Sequence, residues 1–259
     1  MRATSRKFRR LKWAAGAAMV ATLLLLIASM PTTLQADVPQ VDASRGESNA
    51  TCPPDMVYVP AASVRLGSAV SGARSVASPP NPPHVAVVRA FCIDRLEVSV
   101  AIYNSCSWCG RSAMADAGIC RYGSDQLPVR CIRQQDAEQY CSSHGRHLPS
   151  SDQWEYAARG TDQRMYPWGN PAPPTAFVLA REIGTDPHDV SPFGIADMGG
   201  NVGEWVSDQA QLPLGGPCGV VRGSLPQTRF FSPWPGSVVY TRCEEANAFV
   251  GFRCEMDLP

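Results

Sequence analysis

The stretch Ala196-Asp197-Met198-Gly199-Gly200-Asn201-Val202-Gly203-Glu204-Trp205 decides how the rest of this chain is read. It follows neither the 3.6-residue period of a helix nor the alternation of a strand. Glycines at 199, 200 and 203 let the backbone turn where side chains would clash. Asp197, Asn201 and Glu204 bring hard oxygens close together, and a tight turn points carbonyls inward. Such oxygen-rich loops suit Ca²⁺, which takes six to eight oxygen ligands. A tight turn with solvated polar side chains is the other reading of the same residues.

Around this stretch lies a chain of 259 residues, 44% of them hydrophobic, with 21 Gly and 23 Pro. That is enough for one sizeable core. The Gly and Pro content argues for much irregular chain rather than long helices. The N-terminus carries Arg2, Arg6, Lys7, Arg9, Arg10 and Lys12, followed by an uncharged apolar run over 13–30. Residues 1–36 therefore read as a signal peptide, or as an N-terminal membrane anchor if uncleaved. Residues 37–51 read as a polar linker, and 52–259 as the folded domain. Without 1–36 the chain has no lysine and 17 arginines against 23 acids, a net charge of about −6. That balance excludes a nucleic-acid surface. A membrane contact is expected only through the N-terminal segment, with the domain periplasmic or secreted.

All ten cysteines follow the leader, which for an exported chain reads as a disulfide set. Cys106-Ser-Trp-Cys109 has redox spacing but lacks the strand-to-helix setting of a redox site, so structural cysteines are expected there. Zinc on Cys106, Cys109 and Cys120 is the other reading, with no His nearby. Residues 56–66 suggest short apolar stretches broken by Pro60, and 85–93 a mostly buried strand. Residues 97–106 and 136–144 suggest helices, the second with Ala137, Tyr140 and Cys141 on one face. Ser150 and Gln153 form a capping-box pattern for a helix that Gly160 ends. Residues 220–224 and 250–254 read as strands. His144 and His147 straddle Gly145 and read as surface residues. There is no phosphate loop, nucleophile elbow or zinc-protease helix.

Five segments, in order, resemble the sulfatase-modifying-factor family, the formylglycine-generating enzymes and their bacterial relatives. They are Phe91-Cys-Ile-Asp-Arg-Leu-Glu97; Gly145-Arg-His-Leu-Pro149 with Gln153-Trp-Glu-Tyr-Ala-Ala-Arg-Gly160; Tyr166-Pro-Trp-Gly-Asn170; the opening stretch; and Arg222-Gly-Ser224 with Gly251-Phe-Arg-Cys254. The resemblance implies a single α+β domain, related to C-type lectin folds, with short helices, twisted short strands and disulfide staples. It implies a structural calcium held by the side chains of Asp197 and Glu204 and the carbonyls of Gly200 and Val202. It also implies a Cys141–Cys254 disulfide. Cys52 with Cys92 and Cys218 with Cys243 are further expected bridges.

The chain departs from the family where the family does its chemistry. Formylglycine-generating enzymes hold Cu(I) on two thiolates in a Cys-x4-Cys just after the Arg-Gly-Gly-Ser strand, since soft thiolates select Cu(I). Here Gln227 and Ser232 stand at those positions, and no cysteine lies between Cys218 and Cys243. Copper is therefore not expected, and no catalytic residue is assigned. The leading expectation is a binding or accessory module for a protein or peptide partner. Arg229, Phe230, Phe231 and Trp234 are its candidate contact residues, or else buried core. The alternatives are an active oxidoreductase of the family modifying a cysteine, and another chemistry on the same scaffold.

Overall fold

Pro60 divides the first apolar stretch into two strands, β1 (Met56–Val59) and β2 (Ala62–Leu66). The computed structural model describes residues 51–67, 81–109, 120, 122–171, 180–211, 217–223, 238–242 and 246–258. These belong to a unit spanning Val41–Pro259. The next strands are β3 (His84–Val88) and β4 (Phe91–Asp94). The expectation of one mostly buried strand over 85–93 is corrected on two counts. The strand breaks at Arg89-Ala90, and Val85 and Val87 are 55% and 61% exposed. β3 pairs only with β2, in a two-stranded ribbon. Alternation therefore turns Ala86 and Val88 to the core and leaves the valines between them outside.

Three helices follow among the described residues, each with a local reason for its bounds. In α1 (Val100–Asn104), the Ser99 side chain accepts from the Ile102 amide at 3.3 Å and caps the first turn. α2 (Gln134–Ser143) buries Ala137, Tyr140 and Cys141 on one face, and Gly145 follows it at φ 69°. α3 (Ser151–Arg159) opens on a complete capping box between Ser150 and Gln153 and stops at Gly160, φ 66°.

The second half is mostly sheet. β5 (Gly203–Gln211) starts inside the Gly-rich stretch; β6 (Pro217–Arg222), β7 (Val239–Arg242), β8 (Val250–Gly251) and β9 (Glu255–Asp257) follow. The sequence reading placed no strand at β5 or β7. It placed none at β9 either, and it extended β8 across 250–254, where the backbone leaves the ladder at Phe252-Arg253-Cys254. One sheet has the order β7-β6-β5-β8, with β8 parallel to β5; another has the order β1-β4-β9, antiparallel throughout.

The β5–β6 pair separates two hydrophobic clusters because successive strand residues face opposite sides. Val206 and Val220 join Phe91, Ile93, Trp154 and Met198 on one side. Trp205 and Val221 join Tyr103, Tyr140, Leu148 and Phe252 on the other. The fold is thus α+β, with few short helices around small sheets.

Disulfides link Cys52 to Cys92, Cys106 to Cys109, Cys120 to Cys131 and Cys141 to Cys254. Cys106, Cys109 and Cys120 are thereby unavailable as zinc thiolates, which removes that reading. Cys218 is buried and forms no disulfide among the described residues; Cys243, its expected partner, lies outside them. The leader and linker also lie outside. Among the described residues no helix is long and apolar enough to cross a membrane.

Candidate functional site

In the stretch 196–205 the left-handed positions are Asp197 (φ 62°) and Asn201 (φ 64°), not the glycines. Asp and Asn tolerate this region because their short polar side chains bond locally. The Asp197 carboxylate accepts the Gly184 amide at 2.5 Å, and the Asn201 side-chain oxygen accepts the Arg181 amide at 2.8 Å. Gly199 serves a different end. A Cβ there would lie 2.5 Å from the Trp168 ring and 2.9 Å from Pro167. Its amide donates to Asp189 at 2.9 Å. The loop is thus held against the 180–189 segment, and glycine is required by close approach rather than by turning.

Glu204, at the start of β5, is fully buried and saturated. Its Oε2 accepts from Trp154 Nε1 at 2.6 Å and Arg253 Nε at 2.7 Å, and its Oε1 from Arg253 Nη2 at 2.6 Å. Arg253 also donates to the carbonyls of Asp94 and Ala196, at 3.1 and 3.0 Å. This buried ion pair connects α3, β4, the loop and the turn between β8 and β9.

Beside it lie two carboxylates with open valences. Glu97 accepts from Asn201 Nδ2 at 2.5 Å through Oε2, while its Oε1 is buried without a hydrogen-bond partner. Asp197 Oδ1 is likewise buried and unpartnered. The Arg181 guanidinium stops 3.8 Å away, beyond hydrogen-bond range, and pairs with Asp186 at 2.9 Å. Burial pushes the Glu97 carboxyl well up, and the charges of Asp197 and Glu204 push it further. Burial also raises Asp197, and raises Asp189 to about 7.

Buried carboxylate oxygens are donors of the type a hard cation takes. Asp197 and Glu97 each offer a free buried oxygen, whereas both oxygens of Glu204 are committed to Arg253 and Trp154. Glu97 and Arg253 were not picked out as site residues. The signal was present, since both lie in quoted segments, but their meeting with a loop 104 and 49 residues away cannot be read from spacing.

Arg222, on β6, is buried. It donates to Ser151 Oγ at 2.7 Å and pairs with Glu155 at 3.1 Å. Gln227, Arg229, Phe230, Phe231, Ser232 and Trp234 lie outside the described residues. Ser191, Asp208 and His188 form no triad. Ser191 Oγ accepts the Phe193 and Ile195 amides, Asp208 accepts the Ser151 amide, and the His188 amide donates to Asp186.

Comparison with known proteins adds three findings. A family model for the sulfatase-modifying factor enzyme 1-like domain matches residues 42–258. The Mus musculus protein named inactive C-alpha-formylglycine-generating enzyme 2 is 34% identical over 151 residues, 50% of this chain and 49% of that protein. A formylglycine-generating enzyme of Mycobacterium tuberculosis is 34% identical over 100 residues, 32% of this chain and 33% of that one. The chain thus spans about half the length of the first of these relatives and a third of the second. The structure of PvdO from Pseudomonas aeruginosa superposes with a TM-score of 0.59 at 18% identity, covering 78% of this chain and 94% of that one. CarF gives a TM-score of 0.59 at 15% identity, over 80% and 99%. At such identities these two show the shared fold.

Proposed function

The chain belongs to the sulfatase-modifying factor family, and from that premise we propose that it is an exported binding or accessory member without copper-dependent formylglycine-generating activity. The observation that carries this is the missing thiolate pair. Gln227 and Ser232 stand where the family has its two cysteines, and no alignment shift supplies one, because none lies between Cys218 and Cys243. An amide and a hydroxyl cannot hold Cu(I). The mouse relative whose name includes "inactive" is consistent with this reading. Four disulfides belong to an oxidising compartment, and the basic-apolar N-terminus supports export. The partner is a protein or peptide, with Arg229, Phe230, Phe231 and Trp234 as contact residues.

The test is direct. The purified protein is incubated with Cu(I), oxygen and a Cys-x-Pro-x-Arg peptide, and the peptide is read by mass spectrometry. The expected result is unmodified cysteine; formylglycine formed at catalytic turnover overturns the proposal.

The same reading includes a structural Ca²⁺ at the 196–205 loop. Asp197 and Glu97 would hold it through the oxygens that now lack partners, and its charge would offset their mutual repulsion. Glu204 contributes indirectly, by fixing Arg253 against the loop. Removing Ca²⁺ with chelator is expected to lower the melting temperature, and Glu97→Gln with Asp197→Asn to abolish that dependence. A wild-type melting temperature indifferent to chelator refutes the site.

A further inference from the structure

A second cluster of metal-ligating side chains lies at β9. His147 and Glu255 face each other across an isolated antiparallel bridge, exchanging backbone hydrogen bonds of 2.9 and 2.8 Å. Both sides of the bridge are anchored, since Cys254, next to Glu255, is bonded to Cys141, and the Arg146 amide donates to the Cys141 carbonyl at 2.9 Å. Asp257 lies two residues beyond Glu255, on the same face of the strand.

The side chains converge. His147 Nδ1 is 2.8 Å from Glu255 Oε1, and Nε2 is 3.4 Å from Asp257 Oδ2. Each of the three residues offers a ligand atom within 4.8 Å of the others. Glu255 adds a separate observation. It is fully buried, and its Oε1 already accepts from His147 and from Gln153 Nε2 at 2.9 Å, while its Oε2 is buried with no hydrogen-bond partner. A buried carboxylate oxygen left unmatched on a residue of this cluster calls for a partner, and a bound cation would supply one.

Charge and donor type then select the ion. A protonated His147 between two carboxylates leaves the cluster at −1. A divalent cation with neutral imidazole brings it to zero. One imidazole nitrogen with two carboxylate oxygens suits zinc-class cations, whereas Ca²⁺ takes oxygen ligands only.

We propose that His147, Glu255 and Asp257 form a binding site for a divalent transition-metal cation of the zinc class. Its ligands differ from those of the 196–205 loop, and it does not rest on the functional reading above. The buried Glu255 and the backbone bridge preorganise it, and the exposed Asp257 closes it from the solvent side.

Zn²⁺ uptake by the purified, disulfide-bonded protein is measured by equilibrium dialysis after stripping adventitious metal, with Ca²⁺ as competitor. Wild type is expected to hold one more Zn²⁺ per chain than His147→Ala. Asp257→Asn should weaken that site by at least about tenfold. Asp257 is 70% exposed, so its substitution leaves the fold intact and decides the matter even if His147→Ala fails to fold. Zn²⁺ uptake that is equal in wild type and Asp257→Asn, or that Ca²⁺ displaces from the wild-type site, overturns the proposal.

Discussion

Glu204 and Arg253 are buried completely, and neither tolerates the loss of the other. Their two hydrogen bonds offset the desolvation of two charges only while both charges are present. Glu204→Gln is therefore expected to destabilise the protein by about 3–5 kcal/mol, the range for stranding one member of a buried pair. Urea unfolding measures this, and a loss under about 1 kcal/mol would show that Arg253 finds another acceptor. At this scale the sequence was legible in composition and opaque in partnership. Asp197, Asn201 and Glu204 stood out as hard oxygens close together; the first two sit in the loop, and Glu204 lies on β5. That Glu204 spends its oxygens on Arg253, leaving Glu97 and Asp197 with open ones, depends on contacts across 49 and 104 residues. His147 was read as a surface residue, and its side chain is 38% exposed. Its neighbours in sequence include Gly145 and His144, but its chemical partners are Glu255 and Asp257.

Among the elements, helices were legible and strands less so, because their causes differ in range. α3 is fixed by its own residues. Ser150 accepts the Gln153 amide at 3.2 Å, and Gln153 accepts the Ser150 amide at 2.7 Å. Ser150→Ala should cost about 1 kcal/mol, again read by urea unfolding. If stability is unchanged, tertiary packing of Trp154 and Tyr156 alone holds the helix. Strand exposure has no such local cause. Val85 and Val87 look like core residues, yet among the described residues β3 pairs with β2 alone, and nothing there covers their side. β5 hides its start in a Gly-rich turn. β7 carries Val-Tyr-Thr, a β-branched and aromatic run that intrinsic preference could have flagged.

For the whole molecule, the family was legible because several separately weak segments recur in order, while the arrangement that joins them was not. The β1-β4-β9 sheet illustrates this. β1 and β4 both come early, with β2 and β3 between them in sequence, but the far edge of β4 is completed by β9. The amide of Cys254 donates to the carboxylate of Asp94, its partner 160 residues earlier, at 2.7 Å. A ribosome releases the chain from its N-terminus, so β4 emerges long before the strand that finishes its sheet. During that interval its edge presents unpaired backbone groups, the usual template for illegitimate pairing between nascent chains. The order of synthesis thus makes β9 a late-arriving lock. Partial translation products that stop short of it keep that edge open, and they are the species from which a holding chaperone has most to shield.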